Sequence, residues 1–299
     1  IMCLSEVGSS ASGQILTTRQ FRLFDGKVRA FAFGRPHDWN RMVTDNKLDQ
    51  FAVLARHVKE CGVTRVFTPL AVEDTNLKGD AIIRERTVGT VINDDPDFFR
   101  EKIVVDGVEF YFGGDADGIR LTEFGAYFLP SADCYTLVLR MPDGTVVGCH
   151  GGRNSLIEPA EVRVVSHAQY QSVAIAALQG WYGRGDDVQT AMLCGIKAQS
   201  FRHPFDHPDY GEVNRKLAAH LVQEFGPDVV EKPYEQCPID LAAVVRVQLE
   251  RLGVPTDPDH FSLDPTDTAT EMDESGEYLW HSNRRGDTTR NGVLVVRLS

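Results

Sequence analysis

Asp-Gly pairs at Asp25-Gly26, Asp106-Gly107 and Asp143-Gly144 each stand between short runs rich in β-branched and aromatic residues. Asp-Gly suits the tightest hairpin turns, whose central residues take positive φ. Phe21–Phe33, Ile103–Phe112 and Cys134–His150 are therefore expected as strand–turn–strand units. Further strands are expected at Val63–Leu70, Gly125–Leu129, Asp187–Ile196, Tyr278–His281 and Val293–Leu298. Helices are expected at Asn46–Cys61, Ala168–Leu178, Glu212–Phe225 and Asp240–Leu252, three of them stopped by Gly62, Gly226-Pro227 and Gly253. Strands and helices do not alternate regularly enough for a doubly wound sheet. The expected fold class is α+β, a single domain with mixed β-sheets flanked by helices. Ile1–Gly13 is small and polar, so residues 1–16 are expected as a flexible N-terminal tail and residues 17–299 as the domain. Asp257–Gly276 reads as an acidic, loop-rich connection.

Composition narrows the partners. Thirty-one Lys and Arg against 43 Asp and Glu give a net charge of −12. A nucleic-acid backbone calls for a basic face, so no nucleic acid is expected, although a local basic pocket for a small anion is compatible with this balance. No run approaches the length of apolar sequence that spans a bilayer, about 18 residues or more, so no membrane span is expected. The start has no basic segment followed by a long apolar run and does not read as a signal peptide. The six cysteines are scattered with no C-x-x-C pair. They read as reduced thiols of a cytoplasmic protein, expected to be a monomer acting on a small molecule.

Pro130–Ser155 holds the most chemistry. Cys134 and His150 lie at the two ends of one expected hairpin, so the fold brings a thiol and an imidazole together. An imidazole can convert a thiol into a nucleophilic thiolate. Thiolate and imidazole can also bind zinc, with a further ligand elsewhere and an open position for water. The plain alternative is a buried core cysteine and a satisfied turn histidine. Asp133 either orients a ligand or caps a turn, and Gly151-Gly152-Arg153 after the histidine either admits a substrate or simply turns. Cys149 adjoins His150 but is expected on the opposite face of the strand. Asp115 and Asp117 lack the rest of a calcium loop and read as a turn. His203 and His207 are four apart, but Pro204 and Pro208 disfavour a helix there, so this stretch reads as a loop. Arg284, Arg285 and Arg290 form a dense basic cluster, and arginine forks match phosphate and carboxylate geometry; the alternative is a solvated turn.

The run S-A-D-C, followed sixteen residues on by H-G-G-R, resembles the T-A-D-C…H-A-G-W-R-G pattern of the laccase-domain family, also called the polyphenol oxidoreductase family. The upstream ADGIRLTEFGAYFLPSADC resembles that family's turn, strand and cysteine motif. HSNRRGDTTRN resembles its F-S-Y-R-R-x-G-x-T-G-R closing motif, and Asp240–Leu252 stands where the family has a D-L-(x)-A-(x)-Q-L helix. The resemblance covers roughly residues 20 to 299. It implies a laccase-domain fold, shared with the cysteine-dependent deamidase domain of cytotoxic necrotizing toxins, and a zinc site of His, Cys and His. It also implies purine nucleoside phosphorylase or adenosine deaminase chemistry, with older copper-dependent phenol oxidation and peptidoglycan-precursor editing also attributed to members. Cys134 matches the family cysteine, His150 the second histidine, and Arg284, Arg285 and Arg290 the closing arginines. The chain departs from the family at the first histidine, because no histidine lies between His57 and Cys134. Glu73 falls nearest the missing position, so the implied metal set is Cys134, His150 and Glu73. The family's W-R-G is here Arg153-Asn154-Ser155, and its cysteine-threonine is Ala269-Thr270.

Four functions follow. The first is a zinc-dependent purine nucleoside phosphorylase or deaminase, with catalytic Cys134, His150, Asp133 and Arg153 and phosphate on Arg284, Arg285 or Arg290. The second is a metal-free cysteine hydrolase or deamidase using Cys134 and His150. The third, a copper-dependent polyphenol oxidoreductase, ranks last because copper sites want several imidazoles. The fourth is an inactive nucleoside-binding homologue.

Overall fold

The structure is a computed structural model and describes residues 2–9, 15–40, 47–70, 90–157, 171–179 and 185–298. Two mixed sheets form the body. The eight-stranded sheet runs, in spatial order, β1 (Met2–Ser9), β2 (Ile15–Leu23), β3 (Val28–Phe33), β14 (Asn291–Arg297), β9 (Ala126–Ser131), β4 (Arg65–Leu70), β7 (Val108–Asp115) and β6 (Glu101–Val105). The six-stranded sheet runs β13 (Phe261–Leu263), β12 (Gln189–Leu193), β10 (Tyr135–Arg140), β11 (Val146–Gly151), β8 (Gly118–Leu121) and β5 (Val91–Asn93). Strand β4 is parallel to β7 and β9, and β12 is parallel to β13. The described helices are α1 (Leu48–Glu60), α2 (Arg153–Leu156), α3 (Val173–Leu178), α4 (Gly211–Phe225) and α5 (Leu241–Arg251).

Period-two alternation sorts the strand residues into layers. Along β14, Val293 and Val295 face the other sheet, while Leu294 and Val296 face the opposite way. Along β10, Val138 faces between the sheets and Leu137 and Leu139 face outward. The inter-sheet layer joins Phe21, Tyr127 and Val295 of one sheet to Ile119, Val138 and Leu193 of the other. Helix α1 covers the outer face of the larger sheet with Phe51, Leu54 and Val58, against Phe31, Phe110 and Leu294. Helices α3, α4 and α5 cover the outer face of the smaller sheet. The central strands are thus apolar on both faces, and burying each large side chain contributes on the order of 2 kcal/mol.

The three expected hairpins form, and in each the second residue of the Asp-Gly pair has positive φ: 79° at Gly26, 77° at Gly107 and 85° at Gly144. Four local expectations need correction. Tyr278–His281 is not a strand: Tyr278 makes one bridge to Met272, then the chain bends. Its apolar character comes from buried Trp280, whose Nε1 donates to Glu271 Oε2 at 2.8 Å, and the His281 N–H is held by Asn291 Oδ1 at 2.8 Å. The helix expected from Ala168 starts at Val173, capped by Ser172; residues 168–170 lie outside the described residues. The acidic connection contains the short strand β13. Met2–Ser9, placed in a tail by composition, pairs antiparallel with β2.

Candidate functional site

The register of the β10–β11 hairpin places Thr136 opposite His150 and Tyr135 opposite Gly151. Cys134 precedes β10 by one residue, so the thiol and the imidazole meet at the open end of the hairpin. A Cβ built on Gly152 would lie 2.9 Å from Cys134 Sγ, 2.9 Å from His150 Cε1 and 3.0 Å from His150 Nε2. Both donors therefore face one small space that the missing side chain of Gly152 leaves open. Both residues are half-buried.

The back of the imidazole is held by a relay. His150 Nδ1 lies 3.2 Å from Ser155 Oγ, and Ser155 Oγ lies 3.3 Å from Asp117 Oδ1. A carboxylate only accepts, so the serine hydroxyl donates to Asp117 and its oxygen accepts the Nδ1 proton. In the neutral imidazole that donates from Nδ1, Nε2 is the nitrogen that presents its lone pair toward the thiol. The Asp117 carbonyl also accepts the His150 N–H at 2.7 Å. Asp117 and Ser155 are buried. Sequence reasoning passed over both, because Asp117 reads as a turn residue. The H-G-G-x-x-S spacing, which puts Ser155 in the first turn of α2, was the available signal.

Asp133 is buried and turned away from the pair: Oδ1 accepts from Thr268 Oγ1 at 2.8 Å and Oδ2 from the Arg284 N–H at 3.0 Å. It ties the 3-10 turn Asn283–Arg285 to the residue before Cys134. The other neighbour of the pair is Arg153, the first residue of α2, whose Nη1 lies 3.2 Å from His203 Nε2. Arg284 reaches the same nitrogen with Nη2 at 2.9 Å, and its guanidinium lies 4.7 Å from the centre of the Phe201 ring. Burial, then the charges of Arg284 and Arg153, push the His203 imidazole down to about 3. His203 is thus a neutral acceptor near neutral pH, its Nε2 taking N–H donors from two arginines. In the sequence His203 reads only as a loop residue between Pro204 and the preceding strand. Its neighbour His207 caps a turn, accepting the N–H groups of Asp209 and Tyr210 at 3.2 Å each.

The other expected arginines are not brought into this cluster. Arg285 donates to the carbonyls of Thr268, Ala269 and Trp280 and to Asp287, and stacks on Tyr278 at 3.9 Å. Arg290 donates weakly to the carbonyls of Thr288 and Thr289, and its N–H binds Asp38. Both serve the closing loop itself.

Burial raises the thiols of Cys61, Cys149 and Cys194, and pushes that of Cys237 up to about 11. Protonated thiols are poor nucleophiles and ligands. Cys149 is fully buried in the layer under the helices, on the face opposite His150. Cys61, Cys134, Cys149, Cys194 and Cys237 are free thiols. For zinc, Cys134 and His150 suit two positions: a thiolate and an imidazole, the latter oriented by a hydroxyl and carboxylate behind it, as zinc-bound histidines usually are. Among the described residues no third His, Cys, Asp or Glu completes a metal group. Glu73 lies outside the described residues.

No family model and no curated protein matches the chain. Solved structures do. YlmD from Geobacillus stearothermophilus superposes with a TM-score of 0.60 at 16% identity, covering 91% of this chain and 93% of its own. YfiH from Bacillus licheniformis gives 0.57 at 13% identity over 91% and 93%. A DUF152 protein of Neisseria meningitidis gives 0.56 at 16% identity over 95% and 99%. These neighbours are laccase-domain proteins. The chain therefore has the fold that its motifs led us to expect, a single α+β domain of the DUF152 and YfiH type. No helix among the described residues is long and apolar enough to cross a membrane.

Proposed function

We propose that the chain is a zinc-dependent enzyme of purine nucleosides, a nucleoside phosphorylase or adenosine deaminase, built on Cys134 and His150. One observation carries this reading: Cys134 Sγ and His150 Nε2 face the same open space over Gly152. Zinc held by these two donors, with Glu73 as the expected third, would polarise a water or a substrate oxygen. The chain's own residues do the rest. Asp117 and Ser155 fix the tautomer and plane of His150. Gly152 keeps the space clear, and Asp133 holds the Arg284 turn beside it. The substrate partners are a nucleoside and phosphate. Metal analysis of protein purified without chelator is expected to give stoichiometric zinc, lost in Cys134→Ala and His150→Ala, with release of base or ammonia from inosine or adenosine. Protein with neither zinc nor nucleoside turnover overturns the reading.

The Asp117–Ser155–His150 relay also favours a second reading, a metal-free cysteine hydrolase or deamidase. Here Nε2 takes the Cys134 proton, the thiolate attacks an amide carbon, the imidazolium protonates the departing amine as the C–N bond breaks, and water hydrolyses the resulting thioester to regenerate the thiol. It predicts rapid alkylation of Cys134 by iodoacetamide near neutral pH that added zinc does not slow. Protection by zinc supports the first reading instead.

A further inference from the structure

We propose that a cavity at the end of the larger sheet remote from Cys134 and His150 binds a small organic acid, its carboxylate taken by Arg29 and Arg297 and its apolar body laid against Phe124. The site is independent of the nucleoside reading and stands or falls without it.

The cavity has a volume of about 380 Å³, within the range of small-molecule sites, about 300–1,000 Å³. It lies where α1 ends beside β3 and β14, and its lining includes Arg29, Arg297, Cys61, Val63, Phe124 and Leu298. The length of β14 separates it from the reactive pair. Arg297 ends that strand, whereas Asn291, which begins it, donates to the carbonyl of Ala132, two residues before Cys134. Six residue steps of about 3.3 Å put the two ends about 20 Å apart.

Sheet register leaves the basic groups here without acidic neighbours. Arg29 of β3 stands opposite Val296 of β14 on one side and opposite Arg22 of β2 on the other. Like charges directly opposite one another destabilise a sheet. Among the described residues no carboxylate lies within ion-pairing distance of Arg22, Arg29 or Arg297. This holds in a chain where acidic residues outnumber basic ones by 43 to 31. The one carboxylate of the lining, Glu60, lies 3.8 Å from His57 Nδ1. Nor does the end of α1 call for Arg29, because the carbonyls of Val58 and Lys59 already accept the N–H groups of Cys61, Gly62 and Val63. Arg29 bonds the Cys61 thiol, a weak acceptor. Arg297 donates from Nη1 to the Leu121 carbonyl at 2.7 Å, which fixes the fork in place. The Arg297 N–H donates to the Gly125 carbonyl at 3.0 Å and so holds the Phe124 turn beside the strand end. Phe124 is 60% exposed. A carboxylate supplies the charge that two guanidiniums match, and an apolar body covers the exposed ring. A bare anion would use the arginines alone.

The probe is 1-naphthoate, titrated into the full chain by calorimetry. The neutral 1-naphthamide, and acetate, which lacks the rings, are each expected to bind about tenfold more weakly or worse. Arg29→Ala is expected to weaken naphthoate binding about tenfold, with Arg29→Lys, which keeps the charge without the fork, falling between. Phe124→Ser is expected to weaken naphthoate and leave acetate unchanged. Arg215→Ala, an exposed arginine of α4 paired with Glu212, and Cys134→Ala are expected to bind like the parent. Folding of each variant is read from its circular dichroism. Alkylation by N-ethylmaleimide, resolved by residue in a mass spectrometer, gives a second measurement: naphthoate is expected to slow modification of Cys61 and not of Cys134. Absence of naphthoate binding overturns the proposal, as does parent-like binding in Arg29→Ala or an equal loss in Arg215→Ala. Weaker binding in Cys134→Ala, or protection of Cys134 instead of Cys61, moves the ligand to the reactive pair and also overturns it. Naphthamide or acetate binding as tightly as naphthoate removes the charged or the apolar half of the recognition and refutes the ligand class.

Discussion

Single residues decide what this site can do, and two of them carry predictions. Gly152 has φ −84° and ψ 164°, a conformation any residue adopts. Alanine there meets no backbone penalty, yet its Cβ would press on Cys134 Sγ and His150. Gly152→Ala is therefore expected to keep most of its stability, losing about 1–3 kcal/mol by crowding, while zinc content or thiol alkylation falls sharply. Metal analysis and iodoacetamide kinetics check this, and parent-like values for both refute it. His203 gives a pH signature. In the unfolded chain a histidine takes its proton near pH 6.5, whereas folded His203 does so only near 3. Between those values the unfolded state binds more protons. Stability therefore rises with pH across that window and is lost as pH falls through it, at up to about 1.4 kcal/mol per pH unit. From pH 7 to 4.5 the parent is expected to lose more Tm than His203→Gln; equal losses would contradict the assignment. The Cys134–His150 pair was legible because its partners end one hairpin. The His203 cluster was not, because its contacts join residues 50 and 81 positions apart.

At the scale of elements, structure that is encoded locally is legible in the sequence. Asp240 stands before α5 and accepts the N–H groups of Ala242 at 2.9 Å and Ala243 at 3.0 Å. Asp240→Ala is expected to cost about 1 kcal/mol through the lost cap, measured as a shift in the urea midpoint with an unchanged slope. Hairpins with an Asp-Gly turn and amphipathic helices ended by glycine announce themselves over a dozen residues. The three-residue strands β5 and β13 do not, since they are too short to show a period and pair in parallel with distant partners. Tyr278–His281 errs the other way: its hydrophobicity serves a buried tryptophan and a side-chain anchor rather than a ladder.

Across the whole molecule, the two sheets approach closely where β11 carries Gly148 against the ring of Tyr127 from β9. A Cβ on Gly148 would sit 2.4 Å from Tyr127 Cδ1, and Tyr127 is fully buried. Gly148→Ala is expected to force the sheets apart locally and cost about 1–3 kcal/mol or more, seen as a lower thermal midpoint than in the Gly26→Ala hairpin variant. At Gly26 a Cβ meets nothing within 4 Å, but φ is +79°, so that variant carries only the backbone cost of about 1 kcal/mol. An equal or smaller loss at Gly148 would mean that the sheets yield freely. The position of β14 has a separate consequence. It lies between β3 and β9, although it follows them in the chain by more than 150 residues. During synthesis the other seven strands of the larger sheet therefore leave the ribosome with a strand-wide gap between β3 and β9. Its two flanking strands present unpaired edges until the C-terminal segment emerges, so nascent chains stalled before Asn291 are natural clients for chaperones.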